Sequence, residues 1–235
     1  MTQKRLHSLC GLALLLTAGF GGTASWAQTP AGDSGKFALA QKQKENFTEV
    51  QKQNCAELRQ FEWRARTELK VKGTTANIRV ETVRYDSDGR LQKQAIGNPQ
   101  PEQAELMADL QQLAESYAHM TADQLRLLAL SSSISEGEGA MEGTILVLGF
   151  NSVVSRDTVA VWADPSSFRI KQSKADGHYK DDVVHITIWY DALPHGPSYP
   201  SRIELADPKR EATLLMQNSN YQRLQASAAT VRQWE

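Results

Sequence analysis

The sharpest pattern in the chain is a run of strict alternation. Over residues 61–72, Phe61, Trp63, Ala65, Thr67, Leu69 and Val71 share one parity, and Glu62, Arg64, Arg66, Glu68, Lys70 and Lys72 share the other. A period of two predicts a strand with one buried face and one wetted face. A wetted face in turn points to an antiparallel sheet, because parallel strands are usually covered on both sides. Gly73 supplies a turn, and the chain returns through Ile78, Val80, Thr82, Val83 and Tyr85. The apolar parity switches near Thr82, which predicts a bulge there. Asp86-Ser87-Asp88-Gly89 is a turn sequence, and residues 91–96 make a third strand.

Either side of this block the pattern changes to helical. Residues 36–58 contain no Gly or Pro and are dominated by Ala, Lys, Gln and Glu, which is helix composition. Leu39, Phe47, Val50 and Leu58 form only a thin apolar stripe, so this helix is expected to lie on a larger surface. The small, polar residues 28–35 before it read as a flexible leader. After a break at residues 98–101, Leu106, Leu110, Leu113 and Tyr117 fall on one helical face. Thr121 and Gln124 have the spacing of a capping box, which predicts a second short helix carrying Leu125, Leu128 and Leu130. Residues 131–143 read as a mobile loop.

Everything beyond is strand-like: residues 144–150, 158–163, 168–173, 183–190, 201–205 and 213–217. The predicted turns are at Asp164-Pro165-Ser166-Ser167, around Asp176-Gly177 and at Asp207-Pro208, with a proline-bearing loop at 193–200. Segregated strands and helices predict an α+β fold. One curved antiparallel sheet packed on helices satisfies every apolar face, as a single domain over residues 36–224 followed by a tail, 225–235.

The N-terminus changes where this domain is expected to work. Lys4 and Arg5 precede an uncharged stretch rich in Leu, Ala and Gly over residues 9–22, and Ser25-Trp26-Ala27 forms a small-x-small cleavage site. These are the parts of a secretory signal, too short for a membrane span, so cleavage near Ala27 and a periplasmic or secreted mature protein are expected. Cys10 opens the apolar stretch and does not close it, which disfavours a lipid anchor. The mature chain then holds Cys55 as its one cysteine and no transmembrane segment, and its core must hold without an internal disulfide. The net charge of −1, more negative once Lys4 and Arg5 are removed, offers no electrostatic footprint for nucleic acid.

Two stretches carry a resemblance. Trp63-Arg64-Ala65-Arg66-Thr67-Glu68 with Gly73, followed by residues 83–93 (VRYDSDGRLQK), resembles a pattern in secreted bacterial proteins of unassigned function. Trp162-Ala163-Asp164-Pro165 and Tyr199-Pro200-Ser201-Arg202-Ile203-Glu204 are similar in rhythm to the Asp-Pro hairpins and late strands of the periplasmic lipoprotein-carrier, LolA-like superfamily. The resemblance implies an open half-barrel and, by analogy of fold, a role in outer membrane lipoprotein sorting through lipid or acyl-chain binding.

Nucleophile-elbow, phosphate-loop, zinc-helix and paired-cysteine motifs are absent from the sequence. His178 and His185 flank one predicted turn, and with Asp181 or Asp182 they could approach one another, yet their spacing is that of surface histidines near a hairpin. The carboxylate pairs Asp181-Asp182 and Glu136/Glu138 read as solvated charge. So does the basic stripe of Arg64, Arg66, Lys70 and Lys72, partly neutralised by a cross-strand partner such as Glu81. No catalytic residue, metal ligand or cofactor is expected. The candidate ligand-lining residues are Phe61, Trp63, Leu69, Val71, Leu106, Leu110, Leu113, Phe168, Ile186 and Ile188. If the helices leave a gap over them, the protein is a non-enzymatic carrier with an apolar cleft for lipid or acyl chains. If they cover them fully, it is an envelope protein-interaction, assembly or stress factor.

Overall fold

The computed structural model describes residues 31–98 and 101–224. The expected signal, residues 1–27, and the expected tail, 225–235, lie outside the described residues. Helix α1 (Ala31–Leu58) leads into β1 (Phe61–Val71), β2 (Thr74–Tyr85) and β3 (Leu91–Ala95). Helices α2 (Ala104–Ala118) and α3 (Ala122–Ser131) follow. The rest is β4 (Ser133–Glu136), a 3-10 turn (Gly139–Met141), β5 (Ile145–Phe150), β6 (Thr158–Ala163), β7 (Ile170–Tyr179), β8 (Asp182–Ala192), β9 (Ser198–Asp207) and β10 (Ala212–Arg223).

The ten strands form one antiparallel sheet in the order β3-β2-β1-β10-β9-β8-β7-β6-β5-β4. The two strand blocks of the sequence are joined where β1 pairs with β10, Leu69 facing Leu214. The ends β3 and β4 do not meet, so the curved sheet is an open α+β half-barrel. The inward parity of β1 holds as the alternation requires, with Trp63, Ala65, Thr67 and Leu69 all buried. The core lies between this face and the helices. Phe47 of α1, Met107 and Leu110 of α2, and Leu125 and Leu128 of α3 join Leu69, Val161, Ile186, Ile188, Ile203, Leu205 and Leu214 in one cluster. Each such side chain contributes roughly 1.5–3 kcal/mol on burial. The capping box of α3 is formed, with Gln124 N donating to Thr121 Oγ1 at 3.3 Å and Thr121 N to Gln124 Oε1 at 2.8 Å.

The structure corrects several expectations. The parity of β2 does not switch: Asn77, Glu81 and Val83 are buried on one inward face. Its first half is polar because α2 presents a polar edge to it. Gln111 Nε2 donates to Glu81 Oε2 at 2.8 Å and to Glu115 Oε1 at 3.0 Å, and Lys93 Nζ reaches Glu115 Oε2 at 2.8 Å. Glu81 therefore faces inward and does not neutralise the outward basic stripe, where Arg66 and Lys70 pair with Glu68 on their own strand. The expected bulge of β2 lies at Ala76 and not near Thr82, since Leu69 of β1 faces Asn77 and Lys70 faces Thr75; a second extra residue lies in β10, where Glu62 faces Gln222 and Arg64 faces Ser219. The turn expected at Asp176-Gly177 is continuous strand. Gly177 is a close-approach residue, since a Cβ there would lie 2.7 Å from Tyr117 Oη. The hairpin turns at Lys180 and Asp181, both at positive φ. The segment 131–143 holds β4 and the 3-10 turn, and Phe168 sits before β7 at a φ of 54°. Helix α1 is already formed at Ala31, the first described residue, ahead of the expected Lys36; residues 31–36 hold no proline to oppose helix.

Candidate functional site

The turns after β6 and β8, the start of β1 and the ends of β2 and β10 gather at one end of the half-barrel, as the antiparallel order dictates. Helix α1 crosses this end. Its hydrogen bonds to the sheet side are few. Gln51 Nε2 donates to Phe168 O at 2.7 Å. Asn54 makes a two-way clasp with Ser198, its Nδ2 donating to the carbonyl at 2.8 Å and its Oδ1 accepting from the amide at 2.7 Å. Phe47, fully buried, and Leu58, also buried, are apolar anchors of the same helix, which packs on α3 as well.

Beneath α1 lies a hollow of about 30 Å³ lined by Cys55, Tyr85, His119, Met120, Tyr190 and Pro200 among others. That volume suits one or two waters and is far too small for an acyl chain. Its wall is aromatic. His119, which caps the C-terminus of α2, places Nδ1 2.7 Å from Tyr85 Oη and stacks on Trp63 at 5.8 Å. Tyr221 stacks on Trp63 at 5.3 Å, and Tyr199 lies 4.2 Å from Tyr221.

Every titratable group in this wall is driven to its neutral form. Burial pulls the His119 imidazole down to about 4, aided by the charge of Lys93. Burial pushes the Tyr190 phenol up to about 12 and raises Tyr85 further. It also raises the Cys55 thiol, against a smaller opposing effect of Arg59. A thiol held protonated is a poor nucleophile. The hollow is thus uncharged at neutral pH and suits an apolar group better than an ion.

The sequence-predicted lining residues are divided by the fold. Leu69, Leu110, Ile186 and Ile188 are fully buried in the main core. Val71, Leu106, Leu113 and Phe168 are partly buried against it. Trp63 belongs to a separate cluster with Ala65 and Val83. Phe61, at the start of β1, carries the Arg223 guanidinium 5.6 Å over its ring. Cys55, Tyr85, His119 and Tyr190, which line the hollow, were not in that set. Only their position at segment ends hinted at it: Tyr85 just before a turn sequence, His119 just after a helix. Of the other candidates, His185 Nδ1 contacts Asp176 Oδ1 at 2.7 Å, Asp182 pairs with Lys209 and Arg210, and Asp181 lies 3.7 Å from Arg156. Among the described residues, no three His, Cys, Asp or Glu side chains gather as a metal site, and no helix is long and apolar enough to cross a membrane.

An open antiparallel half-barrel with a helical cover and an uncharged aromatic hollow defines the class of architecture. No protein-family model matches the chain, and no curated protein matches it. Solved structures of LolA-like proteins are similar to it. One is a LolA superfamily protein from Nitrosomonas europaea, 14% identical, covering 80% of this chain and 94% of that one at a TM-score of 0.41. A DUF1329 family protein from Desulfovibrio piger is 8% identical and covers 78% of this chain and 92% of its own at 0.47. A domain named as an outer membrane lipoprotein-sorting protein, from Vibrio parahaemolyticus, is 10% identical and covers 78% and 94% at 0.44.

Proposed function

We propose that the protein is a non-enzymatic periplasmic carrier that takes up a lipid or acyl chain between its sheet and its helices, with α1 as the movable cover. The observation that carries this reading is how α1 is attached. It closes the end of an aromatic, uncharged hollow through a Gln51 bond, the Asn54–Ser198 clasp and two buried apolar side chains, Phe47 and Leu58, and it also packs on α3. Hydrogen bonds of this kind contribute about 0.5–1.5 kcal/mol each and a buried apolar side chain roughly 1.5–3 kcal/mol, so the apolar surface a bound chain covers must offset the exposure of Phe47 and Leu58 when the helix moves. In the closed state the hollow is small. Lifting α1 would open it toward Trp63 and, deeper in the core, toward Leu110, Ile186 and Ile188, with Phe61, Leu113 and Phe168 around its margins; Leu69, Val71 and Leu106 lie toward the opposite end of the half-barrel, where β1 meets the start of β10. The partners of such a carrier are lipids or lipoprotein acyl chains, and its site of action is the periplasm after cleavage near Ala27.

The test is native mass spectrometry of protein purified from periplasm, before and after delipidation. A bound amphiphile that delipidation removes and an acyl probe restores supports the carrier. Apo protein that takes up no acyl probe refutes it. One observation favours a second reading, an envelope interaction or assembly factor: the main core is filled, with Leu69, Leu110, Ile186 and Ile188 at 0 or 1% exposure. That reading predicts partners in crosslinking experiments and no co-purifying lipid.

A further inference from the structure

The outward face of the sheet carries a feature that the carrier reading does not use. Trp162 of β6 and Trp189 of β8 both point outward, since their strand neighbours Val161, Ala163 and Ile188 are buried inward. They stand in one cross-strand row: Trp162 faces Gln172 of β7, Gln172 faces Trp189, and Trp189 faces Arg202 of β9. The backbone positions of the two tryptophans are therefore two strand spacings apart, roughly 9.5 Å. Each has its own cation. Lys174 Nζ lies 5.9 Å over the Trp162 ring, and the Arg202 guanidinium lies 4.9 Å over Trp189. The row continues with Gln217 of β10 and Arg66 of β1.

An indole with a cation from the next strand thus occurs twice, with Arg202 directly across from Trp189, Lys174 diagonal to Trp162, and the Gln172 amide between the two indoles. We propose that this row binds a linear β-1,4-linked polysaccharide whose rings bear carboxylates. Sugar rings present flat C–H faces that stack on indole. The spacing of the tryptophans is close to the disaccharide repeat of such a chain, so alternate rings meet an aromatic while Gln172 meets the ring between. Charge complementarity selects the acidic form. The Arg202 side chain is half exposed and shares its charge with Glu204 at 2.9 Å, and Lys174 is exposed. Both can swing from the indole face to a carboxylate at the ring edge. A bilayer surface fits less well, because Gln172, Gln217, Arg202 and Arg66 in the same row are polar or charged.

The test uses the purified chain, tryptophan fluorescence and calorimetry with three probes: a β-1,4-linked oligomannuronate hexamer, cellohexaose, and vesicles of phosphatidylglycerol and phosphatidylethanolamine. The oligomannuronate is expected to bind and shift the emission, with affinity falling as salt is raised. Trp162→Ala and Trp189→Ala each weaken it about tenfold. Lys174→Gln and Arg202→Gln, which leave the indoles in place, each weaken it about threefold and remain informative if an alanine variant does not fold. No binding of the oligomannuronate overturns the proposal. So does equal binding of cellohexaose that ignores the two cations, or binding to vesicles alone. None of these outcomes depends on whether an acyl probe enters beneath α1.

Discussion

Gly177 gives the most quantitative check on how the half-barrel is packed. Its missing side chain admits the Tyr117 hydroxyl, and a Cβ would stand 2.7 Å from that oxygen. Tyr117 is 2% exposed and donates from Oη to Asp157 Oδ2 at 3.2 Å. Asp157 also accepts from the amides of Ser152, Val153 and Val154 at 2.8–2.9 Å, and so fixes the β5–β6 loop. Gly177→Ala must push the phenol aside. Overpacking costs about 1–3 kcal/mol. Loss of a hydrogen bond to a charged acceptor costs about 1.5–3 kcal/mol. The two overlap because one movement causes both, so a total of about 3 kcal/mol is expected. Tyr117→Phe removes the hydroxyl and leaves Asp157 with three donors, costing about 2 kcal/mol. In the double variant the added methyl meets no hydroxyl but still approaches two ring carbons at 3.2 and 3.3 Å, so its stability should fall only slightly below that of Tyr117→Phe alone, a coupling of about 2 kcal/mol. Urea unfolding of the four chains measures this. A neutral Gly177→Ala, or costs that simply add, would refute the close approach of β7 to α2.

Three further outcomes follow from the same geometry. Folded His119 titrates at about 4 and the unfolded imidazole near 6.5, so only the unfolded chain takes up the proton between these values. Its contribution is therefore whole above pH 6.5 and declines by at most about 3 kcal/mol as pH falls toward 4; His119→Gln should flatten that part of the stability–pH curve measured by denaturant unfolding. Asn54→Ala removes both halves of the Ser198 clasp and should raise hydrogen exchange in the C-terminal half of α1 by about tenfold, with a smaller change in global stability. Asp157→Ala leaves three amides and a phenol without their acceptor, and should cost about 3 kcal/mol or more in thermal unfolding, with the β5–β6 loop becoming protease-sensitive.

What could be read from the sequence was whatever is local. The alternation of β1 and the Thr121–Gln124 capping box are set by neighbours along the chain, and both are present as expected. The order of the blocks was enough to indicate an α+β sheet with helices on one face. Features set by distant partners were not legible. Gly177 looked like a turn residue because its reason for being glycine is Tyr117, on another element. Lys180 and Asp181 form the real turn at positive φ without a Gly, Pro or Asn to mark it. Ile78 and Val80 looked like the inward face of β2, yet Asn77 and Glu81 are buried there because Asn77 donates to the Glu102 carbonyl and Glu81 accepts from Gln111 of α2. The candidate hollow was hidden for the same reason. Tyr85 and His119 touch through a hydrogen bond between segments 34 residues apart, and Asn54 meets Ser198 across 144.

The most direct measurement fixes α1 in place. A chain carrying Asn54→Cys and Ser198→Cys, with Cys55→Ser to remove the neighbouring thiol, can be closed by oxidation at the clasp and reopened by reductant. Uptake of a fluorescent acyl probe by the delipidated chain is then read in both states. If α1 is the cover, the oxidised protein takes up no probe and reduction restores uptake to the level of the Cys55→Ser chain. Equal uptake in the locked and reduced states contradicts it.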